Sequence, residues 1–285
     1  MHISEINIYP IKSLKGITLE TSLVESRGLQ HDRRWMLTDA EGMFFTQREF
    51  PKMATIAVEV KEKGLLVSAE NTTAILIPFE PERARTQEVT IWQSVCQGEV
   101  YSDGVNDWFS QVLGTKCQLV YMPDDSQRSV NPRFDKGQDI VSFADGYPLM
   151  VIGEASLEDL NGRISEADSG VRVPLPMNRF RPNLVVSGAE AYAEDDWKRI
   201  RIGDAEFRST KPCERCVITT VEQAKGEFDG KEPLKTFASY RMAKDVMPDR
   251  YESLGVGPNA VLFGQNLIPE SFGSAITIGD KIEII

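Results

Sequence analysis

Ala54-Thr-Ile-Ala-Val-Glu-Val60 and Leu65-Leu-Val-Ser-Ala-Glu70 alternate apolar and polar side chains on either side of Glu62-Lys63-Gly64. A period of two puts one set of side chains on one face of a strand, and a short glycine-containing break turns the chain back on itself. This hairpin sets the reading of the first third of the chain. Upstream, residues 3–9 (ISEINIY) form an apolar-rich strand that Pro10 ends. TLETSLVE and RRWMLTD are further strand candidates, and Asp39-Ala-Glu-Gly42 is a turn between WMLT and MFFTQ. Downstream, AILIPF and EVTIW continue the pattern. Many short strands with turns between them predict a barrel or a sandwich.

The period changes at residues 103–113. Val105, Trp108, Phe109 and Val112 recur at helical spacing, with Asp103 as the expected cap. CQLVYM then reads as a strand. A domain boundary is expected near residue 120, dividing the chain into 1–120 and 121–285. PDDSQRSVNPRFDKGQD, which follows, has no apolar period and reads as a long exposed loop. The second unit opens with a strand around 148–153, then a helix SLEDLNGRI with Ser156 as its expected cap. Residues 164–177 read as a polar connection. NLVVSG is a strand, and RIRIGDAEFRST turns at Gly203-Asp204. LKTFASYRM reads as a helix begun by Pro233, and AVLFGQNLI and SAITIGDKIEII as closing strands.

At 285 residues with 41% hydrophobic and 26% charged, the chain suits a soluble protein with two cores. No apolar run reaches the ~18 residues of a membrane helix, and MHISEINIYP lacks the basic and apolar parts of a secretory signal. No membrane role and a cytoplasmic location are expected. The net charge of −11 argues against nucleic acid as the partner, while leaving room for a small anion held by a local basic cluster.

The chemistry concentrates at Lys211-Pro-Cys-Glu-Arg-Cys-Val-Ile-Thr-Thr220. Two of four cysteines stand three residues apart beside Lys211 and Arg215, and positive neighbours favour a thiolate. A structural zinc site needs four ligands, which Cys96, Cys117, His2 and His31 are poorly spaced to complete. A thioredoxin-like pair sits where a strand enters a helix, whereas here strand-like runs lead both in and out. Cys96 and Cys117 have apolar neighbours and read as small buried hydrophobes. Basic residues abut strand ends three times: Lys12-Ser13 with Lys15-Gly16, Arg33-Arg34, and Arg179 with Arg181. Each alone is a solvated patch; together they offer a phosphate site. Asp145-Gly146-Tyr147 is first a turn, and secondly a carboxylate able to accept from a heterocycle's N–H groups.

Residues 9–16 (YPIKSLKG), 31–37 (HDRRWML), 154–161 (EASLEDLN), 178–188 (NRFRPNLVVSG), 213–216 (CERC), 231–241 (KEPLKTFASYR) and 262–266 (LFGQN) follow in this order over nearly the whole chain. Together they resemble the MOSC-domain proteins of the YcbX and mitochondrial amidoxime-reducing component family. The resemblance implies a mainly β fold with some helices (α+β), an N-terminal MOSC β-barrel domain followed by a β-barrel MOSC domain. It implies a molybdenum–molybdopterin cofactor with Cys216 as the protein's metal ligand and catalytic thiolate, flanked by Arg215, and leaves Cys213 as a packing or supporting thiol. Cofactor contacts fall on Lys12, Ser13, Arg33, Asp145, Gly146, Arg181, Glu214, Arg215 and Asn266, and Asp145 is the nearest carboxylate to serve as general acid. The implied activity is reduction of N-hydroxylated compounds such as amidoximes, hydroxylamines and base analogues. The C-x₄-C-x₂-C pattern of the ferredoxin domain that many bacterial relatives carry is missing from this sequence. Electrons would then come either from a separate flavin or iron–sulfur protein, whose basic face the acidic surface could dock, or from such a domain beyond this sequence. Two other readings stand beside this one: a carrier of the cofactor without turnover, and a persulfide carrier using Cys216.

Overall fold

The computed structural model describes residues 1–82, 85–167 and 173–285. Residues 168–172 of the connection expected at 164–177 lie outside that description. The architecture is α+β and mainly β. An eight-stranded sheet runs in the order Ile17–Leu19, His2–Ile8, Leu184–Ser187, Leu149–Gly153, Leu262–Pro269, Ala205–Glu214, Arg199–Ile202, Ile282–Ile284. Among the described strands of this sheet only Leu149–Gly153 and Leu184–Ser187 pair in parallel, and the crossover such a pair needs contains the helix Glu154–Glu166. A four-stranded sheet orders Trp35–Thr38, Gln118–Tyr121, Ser94–Val100 and Arg85–Ile91, and the quoted hairpin joins a three-stranded sheet of Ala57–Lys61, Gly64–Ala69 and Thr72–Pro78.

The large sheet curls back on itself as a barrel does: His2, in its second strand, bridges Lys281 at the start of the opposite edge, with the Ile3 amide donating to the Asp280 carbonyl at 2.9 Å and the Ile282 amide to the Met1 carbonyl at 3.2 Å. Among the described residues the large sheet ends on Ile17–Leu19 and Ile282–Ile284, which do not pair with each other. Each edge strand is three residues long, and short edges limit pairing with other chains. The helix Asp103–Leu113 buries Val105, Trp108, Phe109 and Val112, as its spacing predicts, against a core that includes Trp35, Leu65 and Leu119. Its cap position is Ser102, with Asp103 the first helical residue. Ser156 lies inside its helix, whose cap position is Gly153. The Ser156 hydroxyl donates to the buried Glu194 carboxylate at 2.8 Å, so it satisfies a buried anion and not a helix end.

Residues 2–8 pair with 184–187, and residues 21–25 pair with 275–277, so the chain's beginning is built into the second half's sheets. This threading brings Tyr9–Ser13 and His31–Arg34 beside Asn178–Asn183 and the CERC segment. Leu262–Pro269 is the fully buried strand between the two neighbours that carry the site. Gly264 sits there at φ +80°, and a Cβ would fall 2.7 Å from Ile152 Cγ1 and 3.0 Å from the Val151 carbonyl oxygen. Both the backbone conformation and the space exclude a side chain. Gly264→Ala is expected to cost about 2 kcal/mol or more, read by chemical denaturation.

Candidate functional site

The CERC segment lies where Ala205–Glu214 runs out of regular pairing. Its register against Leu262–Pro269 shifts on either side of Pro212, which lacks an N–H for the ladder. Beyond it, Val217–Thr220 is a turn of 3₁₀ helix, not the strand that VITTV suggests. The reason is local: the Thr219 amide and hydroxyl both donate to the Cys216 carbonyl at 3.1 and 2.9 Å, and the Thr220 hydroxyl donates to the Val217 carbonyl at 2.8 Å. Cys216, in extended backbone at the start of this turn, presents its sulfur to a cleft.

That cleft has a volume of about 840 Å³, its open mouth included. Its lining contains Lys12, Ser13, Arg33, Asp145, Gly146, Arg181, Glu214, Arg215, Cys216 and Asn266, so every site residue expected from sequence faces one cavity. The first strand and its turn bring Lys12 and Ser13. Ser13 takes left-handed backbone at φ 67°, and its carbonyl accepts from the buried Gln47 side chain at 2.7 Å. Lys12, 5% exposed, donates to the Phe143 carbonyl at 2.8 Å and to the Asp145 carboxylate at 2.5 Å. Burial pushes Lys12 down from its ordinary value to about 8, against the pull of Asp145.

Arg33 and Arg181 both adopt left-handed backbone, at φ 49° and 56°, and both guanidinium groups lie over the Tyr9 ring, at 4.3 and 4.2 Å. Arg33 is tied down: it donates to Asp32 at 2.5 Å and to the Asn183 side-chain oxygen at 3.0 Å. Arg181 makes no side-chain hydrogen bond among the described residues, and so keeps its donors for a ligand. Burial lowers it to about 10, which still leaves it a cation at neutral pH. Asn266 donates to the Lys211 carbonyl at 3.0 Å, and Lys211 pairs with Glu214. These contacts place Asn266 and Glu214 on the wall beside the sulfur.

The structure redraws two expected relationships. Arg215 does not serve Cys216. Its guanidinium points back to Cys213 Sγ at 3.1 Å, Met150 Sδ at 2.9 Å and the Phe180 carbonyl at 2.7 Å. Cys213 packs beside the cluster of Met150, Phe180, Phe237 and Phe263, and burial pushes its thiol up, opposed by Arg215. The cation on Cys216 is Arg48, whose Nη2 donates to the sulfur at 3.1 Å. Asp145, taken as a general acid, is held as an anion. Burial pushes its carboxyl up, but the Lys12 charge and hydrogen bond, with Arg48 behind them, prevail and hold it well below the usual carboxylate range. A group ionised so far below neutral pH is an acceptor, not a proton donor. Arg128, from the long 123–139 loop, fixes this segment by donating to the Ser142, Ala144 and Asp145 carbonyls at 2.8, 2.5 and 3.0 Å.

Sequence reasoning missed Arg48 as a site residue, and it named Arg179 only as a charge. Arg179 is 3% exposed and pairs with Asp229 at 2.6 Å, and its Nε and Nη1 have no partner among the described residues. Nη1 of Arg48, Nε of Arg215 and the Tyr147 hydroxyl are likewise buried without partners. A buried donor without an acceptor is costly. Six cations line the cleft against Asp145 and Glu214. The donor set therefore suits an anionic, acceptor-rich ligand with a soft metal at its sulfur end, as a phosphate-bearing pterin with molybdenum has. Because Lys12 loses its charge as pH rises through about 8, anion affinity should fall over that range. Calorimetry with sulfate, whose own charge is constant, is expected to show the fall in wild type and a flat profile in Lys12→Arg.

Fold and cleft together define an α+β protein whose cavity gathers six cationic side chains and the Cys216 sulfur. The chain belongs to the MOSC-domain family. Residues 1–116 match the MOSC N-terminal beta barrel domain and residues 138–283 the MOSC domain. It is similar to mitochondrial amidoxime-reducing component 1 of Mus musculus, 32% identical over 99% of this chain and 82% of that protein. The Homo sapiens protein of the same name is 29% identical over 99% of this chain and 82% of that one. A molybdenum cofactor sulfurase of Oryza sativa is 33% identical over 93% of this chain, which spans 34% of that protein.

Proposed function

We propose that this chain holds a molybdenum–molybdopterin cofactor, with Cys216 as its metal ligand, and reduces N-hydroxylated compounds. The observation that carries the reading is one cleft lined by the Cys216 sulfur together with Lys12, Arg33 and Arg181, cations drawn from both halves of the sequence. The bound cofactor supplies a two-electron redox centre at the sulfur end. The chain's own residues do the rest. Arg181 and Lys12 neutralise the phosphate, the Asp145 carboxylate accepts from the heterocycle, and the walls on either side orient it. Overall the N–O bond breaks, two electrons and two protons are taken up, and an amine and water leave. A separate flavin or iron–sulfur protein supplies the electrons. All four cysteines are free thiols, which suits a reducing, cytoplasmic setting. No helix among the described residues is long and apolar enough to cross a membrane.

The likeness to a cofactor sulfurase supports a second reading, a protein that carries the cofactor or a sulfur atom without reducing a substrate. Protein from a cofactor-competent host should contain molybdenum and pterin and should reduce benzamidoxime with an artificial donor. Bound cofactor without reduction supports the carrier, and a transferable sulfur on Cys216 supports the sulfur carrier. Lack of molybdenum where a control molybdoenzyme loads would falsify both cofactor readings.

A further inference from the structure

Arg48 reaches Cys216 across 168 residues of sequence, and three features hold it there. Gln47, fully buried, donates to the Ser13 carbonyl at 2.7 Å and accepts from the Gln223 side chain at 3.0 Å. This fastens the segment both to the Lys12-Ser13 turn and to the chain that follows the 3₁₀ turn. The Arg48 amide donates to the Thr46 hydroxyl at 3.1 Å, which tightens the bend just before the side chain. On its outer side the guanidinium lies 4.5 Å from the centre of the Trp92 ring.

Trp92 is itself unusual. It occupies a two-residue turn between the paired Ile91 and Ser94, at φ 56°, with 49% of its surface exposed. Left-handed backbone at the first turn position is the place of glycine, and a bulky aromatic there is strained. The indole gains little burial in return. It does gain the Arg48 stack and an edge-on contact with Phe44 at 5.1 Å. Indole, guanidinium and sulfur thus form a chain of contacts from the N-terminal half to the metal-binding end of the cleft.

We propose that Arg48, pressed into place by Trp92, is a positioning residue that directs an N–H hydrogen bond at the Cys216 sulfur and thereby tunes the metal this sulfur holds. The inference rests on Cys216 being the metal ligand. A hydrogen bond to a ligating thiolate draws electron density from the sulfur, so the metal is easier to reduce with Arg48 than without it. The planar fork matters beyond its charge, because only a guanidinium can stack on the indole and point one N–H at sulfur together.

The test is a redox titration of the molybdenum signal by electron paramagnetic resonance in the loaded protein. Arg48→Met is expected to shift the midpoint to more negative potential, Arg48→Lys to shift it part of the way, and Trp92→Ala to shift it in the same direction by less. Trp92 is at an exposed turn, so Trp92→Ala keeps the test available if Arg48→Met does not fold. In cofactor-free protein at one fixed pH, iodoacetamide labelling followed by mass spectrometry should show Cys216 reacting severalfold more slowly in Arg48→Met, with Cys213 unchanged. Folded Arg48→Met and Trp92→Ala proteins with wild-type potentials and wild-type Cys216 labelling overturn the proposal. Wild-type protein without molybdenum overturns the cofactor reading instead, and the labelling then decides the Arg48–Cys216 contact by itself.

Discussion

Cys216→Ala is expected to lose its molybdenum to background and its N-hydroxyl reduction with it, while melting within a few degrees of wild type. The asymmetry follows from what the side chain touches. The sulfur of Cys216 accepts one hydrogen bond, from Arg48, and otherwise faces the cleft. Truncating it removes the soft sulfur proposed as the metal ligand, which no oxygen or nitrogen of the lining replaces, yet it leaves little packing behind to lose, so the stability change should stay within about 0.5–1 kcal/mol. Cys213→Ala should do the opposite. That sulfur packs on the Met150, Phe180, Phe237 and Phe263 cluster and accepts from Arg215. Removing it costs about 1 kcal/mol and leaves Arg215 with a further unpaired donor, but the metal should stay. Molybdenum-to-protein ratio and melting temperature, measured on both variants, separate the two thiols. Metal loss in Cys213→Ala with retention in Cys216→Ala would reverse the assignment.

How much of this was legible in the sequence depends on the range of the interactions. The 57–69 hairpin and the 103–113 helix were readable because their patterns are local: alternation in the one, a 3.6-residue stripe in the other. VITTV misled because β-branched residues favour strands by propensity, whereas the two threonine hydroxyls bond to backbone carbonyls and tighten a 3₁₀ turn. The strand count was written locally, whereas the contact that curls the large sheet, His2 with Lys281, joins the two ends of the chain and is not. The cleft's cations at Lys12, Arg33 and Arg181 stood out as charges at strand ends. Arg48 did not, since FTQREF has no period and nothing beside it in sequence points to sulfur. Its one signal was the buried amide before it, Gln47, visible only once the fold pairs it with Ser13 and Gln223. The Arg215 error has the same origin. Neighbours in sequence on an extended chain point to opposite sides, so the arginine adjoining Cys216 serves Cys213, two residues back.

The two arginines over Tyr9 should behave differently when removed, although they touch the same ring. Arg33 neutralises Asp32, which is 1% exposed and also accepts from the Tyr9 amide at 2.8 Å. Burial already pushes the Asp32 carboxyl up, and the Arg33 charge is what opposes it most. Arg33→Met leaves a buried carboxylate without its cation, a loss of about 3–5 kcal/mol. The variant is therefore expected to unfold early, and its lack of cofactor would say nothing about ligand contact. Arg181 carries no such debt. It rests on Tyr9 at 4.2 Å without a side-chain hydrogen bond among the described residues, and burial, with the Arg33 charge beside it, lowers it to about 10. Arg181→Met relieves the desolvation of an unpaired cation, so stability should hold or rise slightly. The ligand loses a charge-assisted contact worth about 1.5–3 kcal/mol, which is roughly a tenfold to hundredfold loss of affinity for a phosphate-bearing ligand. Denaturation midpoints and cofactor occupancy after gel filtration read the two effects separately. If Arg181→Met keeps full occupancy through dilution, the anion end of the cleft is elsewhere, and the six cations of the lining have to be reassigned beginning with Arg179.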